Sequence, residues 1–141
     1  MNYIDTSVLV ALFCNEDSAL EIRKWYEQTD SSKLVTSDWT LTEFSSAIRI
    51  KERTGQLNTK QIHSVLKAFD NFCEGGIRLL GISRRCFQQS ALLIRNTSGL
   101  RAGDALHLAV ALESGSEQFI TLDKLLFQAA KKAKLEVVRF D

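Results

Sequence analysis

Proline is missing from this 141-residue chain, and glycine is sparse at seven residues, so nothing resembles a Pro-rich linker or a low-complexity segment. Cysteine is scarce too. Cys14, Cys73 and Cys86 are odd in number and scattered, with no CxxC pair, which argues against a disulfide framework and suits reduced thiols in a cytosolic protein. Charge of one sign is also lacking. A net charge of +1 means that any affinity for nucleic acid has to come from a local basic surface. Long apolar runs are absent as well. Val8–Cys14 and the His-interrupted Ala105–Leu112 are too short to span a bilayer. No basic segment precedes an apolar one at the start, and Asp5 interrupts it, which speaks against a signal peptide.

What is present reads as one domain over residues 1–141, with ordinary apolar (45%) and charged (25%) fractions for a globular fold. Strand and helix signals alternate. Tyr3-Ile4 reads as the end of a buried strand, followed by a helix over Val8–Cys14. Ser18-Ala19-Leu20-Glu21 matches a capping box and opens a helix carrying Trp25 and Tyr26. Leu34-Val35-Thr36 suits a strand, with a helix opening between Ser37 and Thr40 and stopping at Gly55. Ile62, Val65, Leu66, Phe69, Phe72 and Cys73 form an amphipathic stripe ended by Gly75-Gly76. Ile77–Leu80 is a strand, and Ser83 caps a helix reaching about Ser98. The next helix, Gly103–Glu113, is apolar nearly all round and belongs in the core. Gln118–Thr121 is a strand, Leu126, Ala129, Ala130 and Ala133 line the last helix, and Leu135–Phe140 reads as the closing strand. This alternation implies an α/β fold, a central parallel sheet with helices on both faces. Ligands of such sheets sit beyond the carboxyl ends of the strands, at the switch point.

Four carboxylates occupy suggestive places. Asp5 and Asp123 follow strands, Glu43 lies in the first turn of a helix, and Asp104 opens the apolar helix. Each has a purely structural explanation. Asp5 and Asp123 can be N-caps, Asp104 can favour the helix dipole, and Thr40-Leu41-Thr42-Glu43 fits a capping box. Together they imply more. Carboxylates gathered within a few ångströms cannot all ionise without a cation. An all-oxygen cluster selects hard cations such as Mg²⁺ or Mn²⁺. Such a site activates water and clamps a phosphodiester for in-line displacement.

Tyr3-Ile4-Asp5-Thr6-Ser7, Thr42-Glu43-Phe44, Leu100–His107 and Ile120-Thr121-Leu122-Asp123 stand in the order and spacing of the PIN-domain ribonucleases. The chain most resembles the VapC-type toxins of toxin–antitoxin pairs. The resemblance implies a sheet in the order 3-2-1-4-5 and a cytoplasmic, Mg²⁺- or Mn²⁺-dependent endoribonuclease. It makes Asp5 and Asp104 metal ligands and Asp123 a ligand or a supporting partner. Glu43 would hold and help to activate a metal-bound water, with Thr6, Ser7 and Thr121 as supporting hydroxyls. It also implies a homodimer, an RNA substrate and an antitoxin, a small DNA-binding protein whose tail covers the groove.

Other residues divide less cleanly. His107 lies one turn beyond Asp104 and reads as a buried histidine with a backbone or carboxylate partner, or as a substrate contact. Arg101 can reach a phosphate or pair with a site carboxylate. His63 sits on a polar helix face. The cations Arg49, Lys51 and Arg53, and Lys131, Lys132 and Lys134, end helices as the dipole favours. Trp25, Tyr26 and Trp39 suit core or subunit packing better than base stacking. Two other functions compete. A haloacid-dehalogenase-type phosphatase also begins with an aspartate after its first strand, but needs a second aspartate where this chain has Ser7. A non-catalytic PIN-like binding module would tolerate loss of acidic positions, yet all four are here.

Overall fold

A computed structural model describes residues 1–140. Five strands, β1 (Asn2–Ile4), β2 (Leu34–Ser37), β3 (Arg78–Leu80), β4 (Gln118–Ile120) and β5 (Glu136–Val137), form one sheet. All four pairings are parallel, and the spatial order is β3-β2-β1-β4-β5. That is the order the resemblance implied. Among the described residues seven α-helices accompany the sheet: α1 (Thr6–Phe13), α2 (Ala19–Glu27), α3 (Trp39–Arg53), α4 (Thr59–Gly75), α5 (Arg84–Asn96), α6 (Ala102–Glu113) and α7 (Lys124–Lys132).

Strand alternation divides the core between two faces. Tyr3, Val35 and Phe119 pack with α5, α6 and α7, whereas Ile4, Leu34 and Ile120 pack with α1 to α4. Tyr3 and Phe119, opposite each other in register, stack with centroids 5.5 Å apart. Phe44 and Phe69 stack across α3 and α4 at 3.8 Å. Every residue of α6 from Ala105 to Ala111 is buried, as its all-round apolar pattern requires. The end of α6 lies at the amino edge of the sheet, where the Glu117 N–H donates to the Met1 carbonyl. Its first turn, with Asp104, is therefore at the carboxyl edge. β1 and β4 are adjacent although the chain visits β2 and β3 between them, so the switch point lies between Asp5 and Asp123.

Three local expectations are corrected. Ser18 does not cap α2: its backbone is already helical, and its carbonyl accepts from the Ile22 N–H, so its hydroxyl makes no capping bond. The Thr40–Glu43 capping box does not form, because α3 begins at Trp39 and Thr40 lies inside it. The Thr40 hydroxyl hydrogen-bonds Thr36 at 2.7 Å and lies 3.2 Å from the Thr6 hydroxyl, and Glu43 falls in the second turn. The closing strand is only Glu136–Val137, since Val138 and Phe140 leave the sheet to pack against the α1–α4 side, with Phe140 edge-on to Trp25. Trp25 and Tyr26 are packing residues, as read, with Tyr26 against Phe72. All three cysteines are free thiols. Among the described residues no helix is long and apolar enough to cross a membrane.

Leu108 is fully buried at the centre of α6. Leu108→Ala is expected to destabilise the fold by about 2–5 kcal/mol through lost transfer energy and a residual cavity. Urea denaturation checks this, and a loss below about 1 kcal/mol would contradict a packed core there.

Candidate active site

Asp5, Glu43, Asp104 and Asp123 all line one open cavity of about 790 Å³ at the carboxyl edge of the sheet. Each is delivered by a different element, respectively the end of β1, the second turn of α3, the first turn of α6 and the end of β4. The capping readings of Asp5 and Asp123 hold as well. The Val8 N–H donates to Asp5 Oδ1 at 3.4 Å, and the Leu126 N–H donates to Asp123 Oδ1 at 2.8 Å.

Asp5 is the most enclosed of the four. Ser7 donates to its Oδ1 at 2.6 Å, and Thr121 donates to its Oδ2 at 2.5 Å. Burial pushes its carboxyl above the ordinary range, while the nearby His107 and these hydrogen bonds oppose the shift. Ser7 also accepts from the Leu122 N–H at 3.0 Å, which ties the β1 and β4 ends together.

Glu43 is held from several sides. Thr6 donates to its Oε1 at 2.7 Å, and the His107 Nε2–H donates to the same oxygen. Burial would raise its pKa, but the hydrogen bonds from His107 and Thr6 outweigh this and hold it below the ordinary value. The Trp39 indole N–H lies beside this carboxylate, buried and without a well-formed hydrogen bond. A Cβ on Gly103 would stand 2.8 Å from Glu43 Oε2 and 3.0 Å from Trp39 Nε1, so any other residue there would push the Glu43 carboxylate and the indole aside.

His107 is buried and pairs with a carboxylate, the bland of its two readings. Arg101, 77% exposed, reaches Asp104 at 3.4 Å and Asp123 at 3.3 Å, and thus answers its open question in favour of the carboxylates. His63 is exposed and remote. Three participants escaped sequence reasoning. Trp39 read as packing, yet it also lines the cavity. The Tyr3 hydroxyl sits behind His107 at 2.6 Å. Gly103 carried a usable signal, since glycine inside a helix costs stability relative to alanine unless something packs where its side chain would be.

Among the described residues no three His, Cys, Asp or Glu side chains are arranged to hold a metal ion. Two observations bear on the fit. Burial, then the charge of Asp123, raises the Asp104 pKa, and Glu43 adds to it while Arg101 opposes it. The guanidinium between Asp104 and Asp123 is a cation where cationic charge is needed, on a side chain exposed enough to swing out. An oxygen-only donor set short of positive charge fits a hard divalent ion.

The PIN-domain family profile matches residues 3–132. Ribonuclease VapC35 of Mycobacterium tuberculosis is 30% identical over 142 aligned residues, covering 98% of this chain and 96% of the relative. This chain belongs to the PIN-domain family of VapC-type ribonucleases. Solved structures agree on the PIN fold. A toxin–antitoxin complex from Klebsiella pneumoniae superposes with a TM-score of 0.70 at 19% identity, covering 100% of this chain and 98% of that one. VapC20 of Mycobacterium tuberculosis, described as a toxin cleaving the sarcin–ricin loop, gives a TM-score of 0.73 at 16% identity over 99% of both chains. Other PIN ribonucleases are metal-dependent, which accords with the oxygen-only donor set.

A raised Asp104 pKa means that the folded PIN domain binds a proton more readily than the unfolded chain does. Stability therefore falls as pH rises from the ordinary value of 3.8 to the raised one, and the full penalty applies above it. Asp104→Asn is expected to be more stable than the parent at pH 7 by about 0.5–2 kcal/mol, as for other strained functional groups. The gain should shrink in acid, and thermal denaturation across pH tests it. Mn²⁺ is expected to raise the parent's melting temperature and not the variant's.

Proposed function

We propose that this chain, as one PIN domain over residues 1–141, is a metal-dependent endoribonuclease and the toxin of a type II toxin–antitoxin pair. The convergence of four carboxylates from four separate elements on one cavity carries this reading. Asp5, Asp104 and Asp123 would hold Mg²⁺ or Mn²⁺. When bound, such an ion lowers the pKa of water and neutralises charge on a phosphodiester. Glu43, with a lowered pKa, stays ionised at neutral pH and is suited to accept a hydrogen bond from the attacking water, holding it and helping to activate it. Ser7 and Thr121 keep Asp5 facing the site. Arg101, once released from Asp104 and Asp123, has the planar fork that pairs with a phosphate.

The substrate on this reading is cytoplasmic RNA. The antitoxin would cover the cavity, and the seat of Arg101 between two carboxylates supports a basic side chain as its blocking group. A homodimer completes the proposal, as in the resemblance.

Purified protein is expected to cleave RNA with Mg²⁺ or Mn²⁺ and to lose that activity with EDTA. Asp5→Asn and Asp104→Asn should each reduce the rate by at least about 100-fold, the scale of a lost electrostatic or acid–base group. Cleavage that persists in either variant would sink the site assignment. Gly103→Ala crowds Glu43 without touching a ligand and should cost roughly 10- to 100-fold through misplacement. An unchanged rate would mean that the approach of α3 to α6 is not needed.

A further inference from the structure

His107 is a polar residue in the middle of the most apolar helix of the chain. Its neighbours Ala105, Leu106, Leu108 and Ala109 are all buried, and it is itself 1% exposed. An imidazole there loses its water, a cost offset only if both ring nitrogens find partners. Both do. Nδ1 meets the Tyr3 hydroxyl at 2.6 Å, and Nε2 meets the Glu43 carboxylate. A carboxylate can only accept, so the proton on that side belongs to Nε2.

The chain of contacts continues inward. The Tyr3 hydroxyl also hydrogen-bonds Ser37 Oγ at 2.9 Å, and burial keeps its phenol pKa far above the ordinary value, so the hydroxyl remains a hydrogen-bonding anchor. Tyr3 is on β1, Ser37 ends β2, His107 is on α6 and Glu43 is on α3. Thr6, opening α1, closes the arrangement by donating to Glu43 at 2.7 Å and lying 3.2 Å from His107 Nε2. Two donors, from α1 and α6, therefore meet on one carboxylate oxygen of α3, Oε1, and the contacts behind them run on to β1 and β2. Oε2 is left on the side of Gly103 and the Trp39 indole.

We propose that His107 is a positioning residue: braced by Tyr3, it holds Glu43 by Oε1 so that Oε2 faces the cavity as the oxygen that works on water. This rests on the ribonuclease reading only for the last step, the work on water. A histidine present merely to fill the core would satisfy its nitrogens anywhere. This one spans from a core tyrosine to a cavity carboxylate, Glu43, that is held below its ordinary pKa. Asp5 and Asp104 are the other charged groups near the imidazole, and neither hydrogen-bonds it.

The test uses the 141-residue chain in four forms: wild type, His107→Gln, His107→Leu and Tyr3→Phe. Glutamine keeps an N–H able to reach Glu43, leucine fills space without one, and Tyr3→Phe removes the brace but keeps the stack on Phe119. Glu43 is titrated without metal by NMR of carboxyl-labelled glutamate, and kcat and KM are measured on RNA with Mg²⁺. Melting temperature reports folding separately. In His107→Leu the Glu43 pKa is expected to rise to the ordinary range or above, with kcat down roughly 10- to 100-fold and KM nearly constant, the signature of a misplaced group. His107→Gln should recover most of both, and Tyr3→Phe should show a smaller change in the same direction. A folded His107→Leu protein with wild-type Glu43 titration overturns the proposal. So does a glutamine variant no better than the leucine one. If wild type cleaves no RNA, the ribonuclease reading fails, and the Glu43 titration alone still decides whether His107 governs that carboxylate.

Discussion

Repulsion among carboxylates at one edge of the sheet is the constraint around which this structure is arranged. Burial and the charge of Asp123 push up the Asp104 pKa, and burial does the same at Asp5. A fold that places such groups together has to supply positive charge or directed hydrogen bonds. Here Arg101 supplies charge between Asp104 and Asp123. Ser7 and Thr121 supply donors to Asp5, and Thr6 and His107 supply them to Glu43. The first turns of α1 and α7 add backbone N–H groups. Such sites carry strain that a packed apolar core elsewhere has to outweigh.

That core also explains how the carboxylates are aimed. The α6 helix is buried on every side from Ala105 to Ala111, so it has no freedom to rotate Asp104 or His107 away. The stacked Tyr3 and Phe119 rings hold β1 against β4, and thereby the tails that carry Asp5 and Asp123. A second line of buried hydroxyls, Thr36 and Thr40, joins β2 to α3 and meets the Thr6 hydroxyl beside Glu43. Helix capping and site geometry are one arrangement here. Asp5 and Asp123 each cap a helix through Oδ1 and meet Thr121 or Arg101 through Oδ2.

Much of this was legible along the chain, and the failures have physical causes. The strand alternation at Tyr3-Ile4 and Leu34-Val35, the buried character of α6 and the stop at Gly55 are local or periodic signals, and they survive folding unchanged. Ser18 and Thr40 were misread because each matches a capping pattern, yet tertiary packing gives each a different place. Ser18 is drawn into the helix start, and Thr40 into a buried hydroxyl cluster. The closing strand was overextended because Val138 and Phe140 are apolar, a pattern that does not say which surface the residues cover. Trp39 was assigned to packing, which is half its role: its ring joins the core and its N–H faces the site.

Taken alone, the sequence determined the order of elements, the parallel α/β class and the four acidic residues whose oxygen chemistry suits a hard cation. These follow from hydrophobic period and residue type, which act within a few residues of each other. Only the tertiary structure decided which side chains meet. Thr121 reaches Asp5 across 116 residues, His107 reaches Glu43 across 64, and Arg101 spans two carboxylates that lie on different elements. Such pairings depend on strand order and on the depth at which α6 is buried. Both are set by covering the two faces of the sheet, a condition on the whole chain that no short stretch contains.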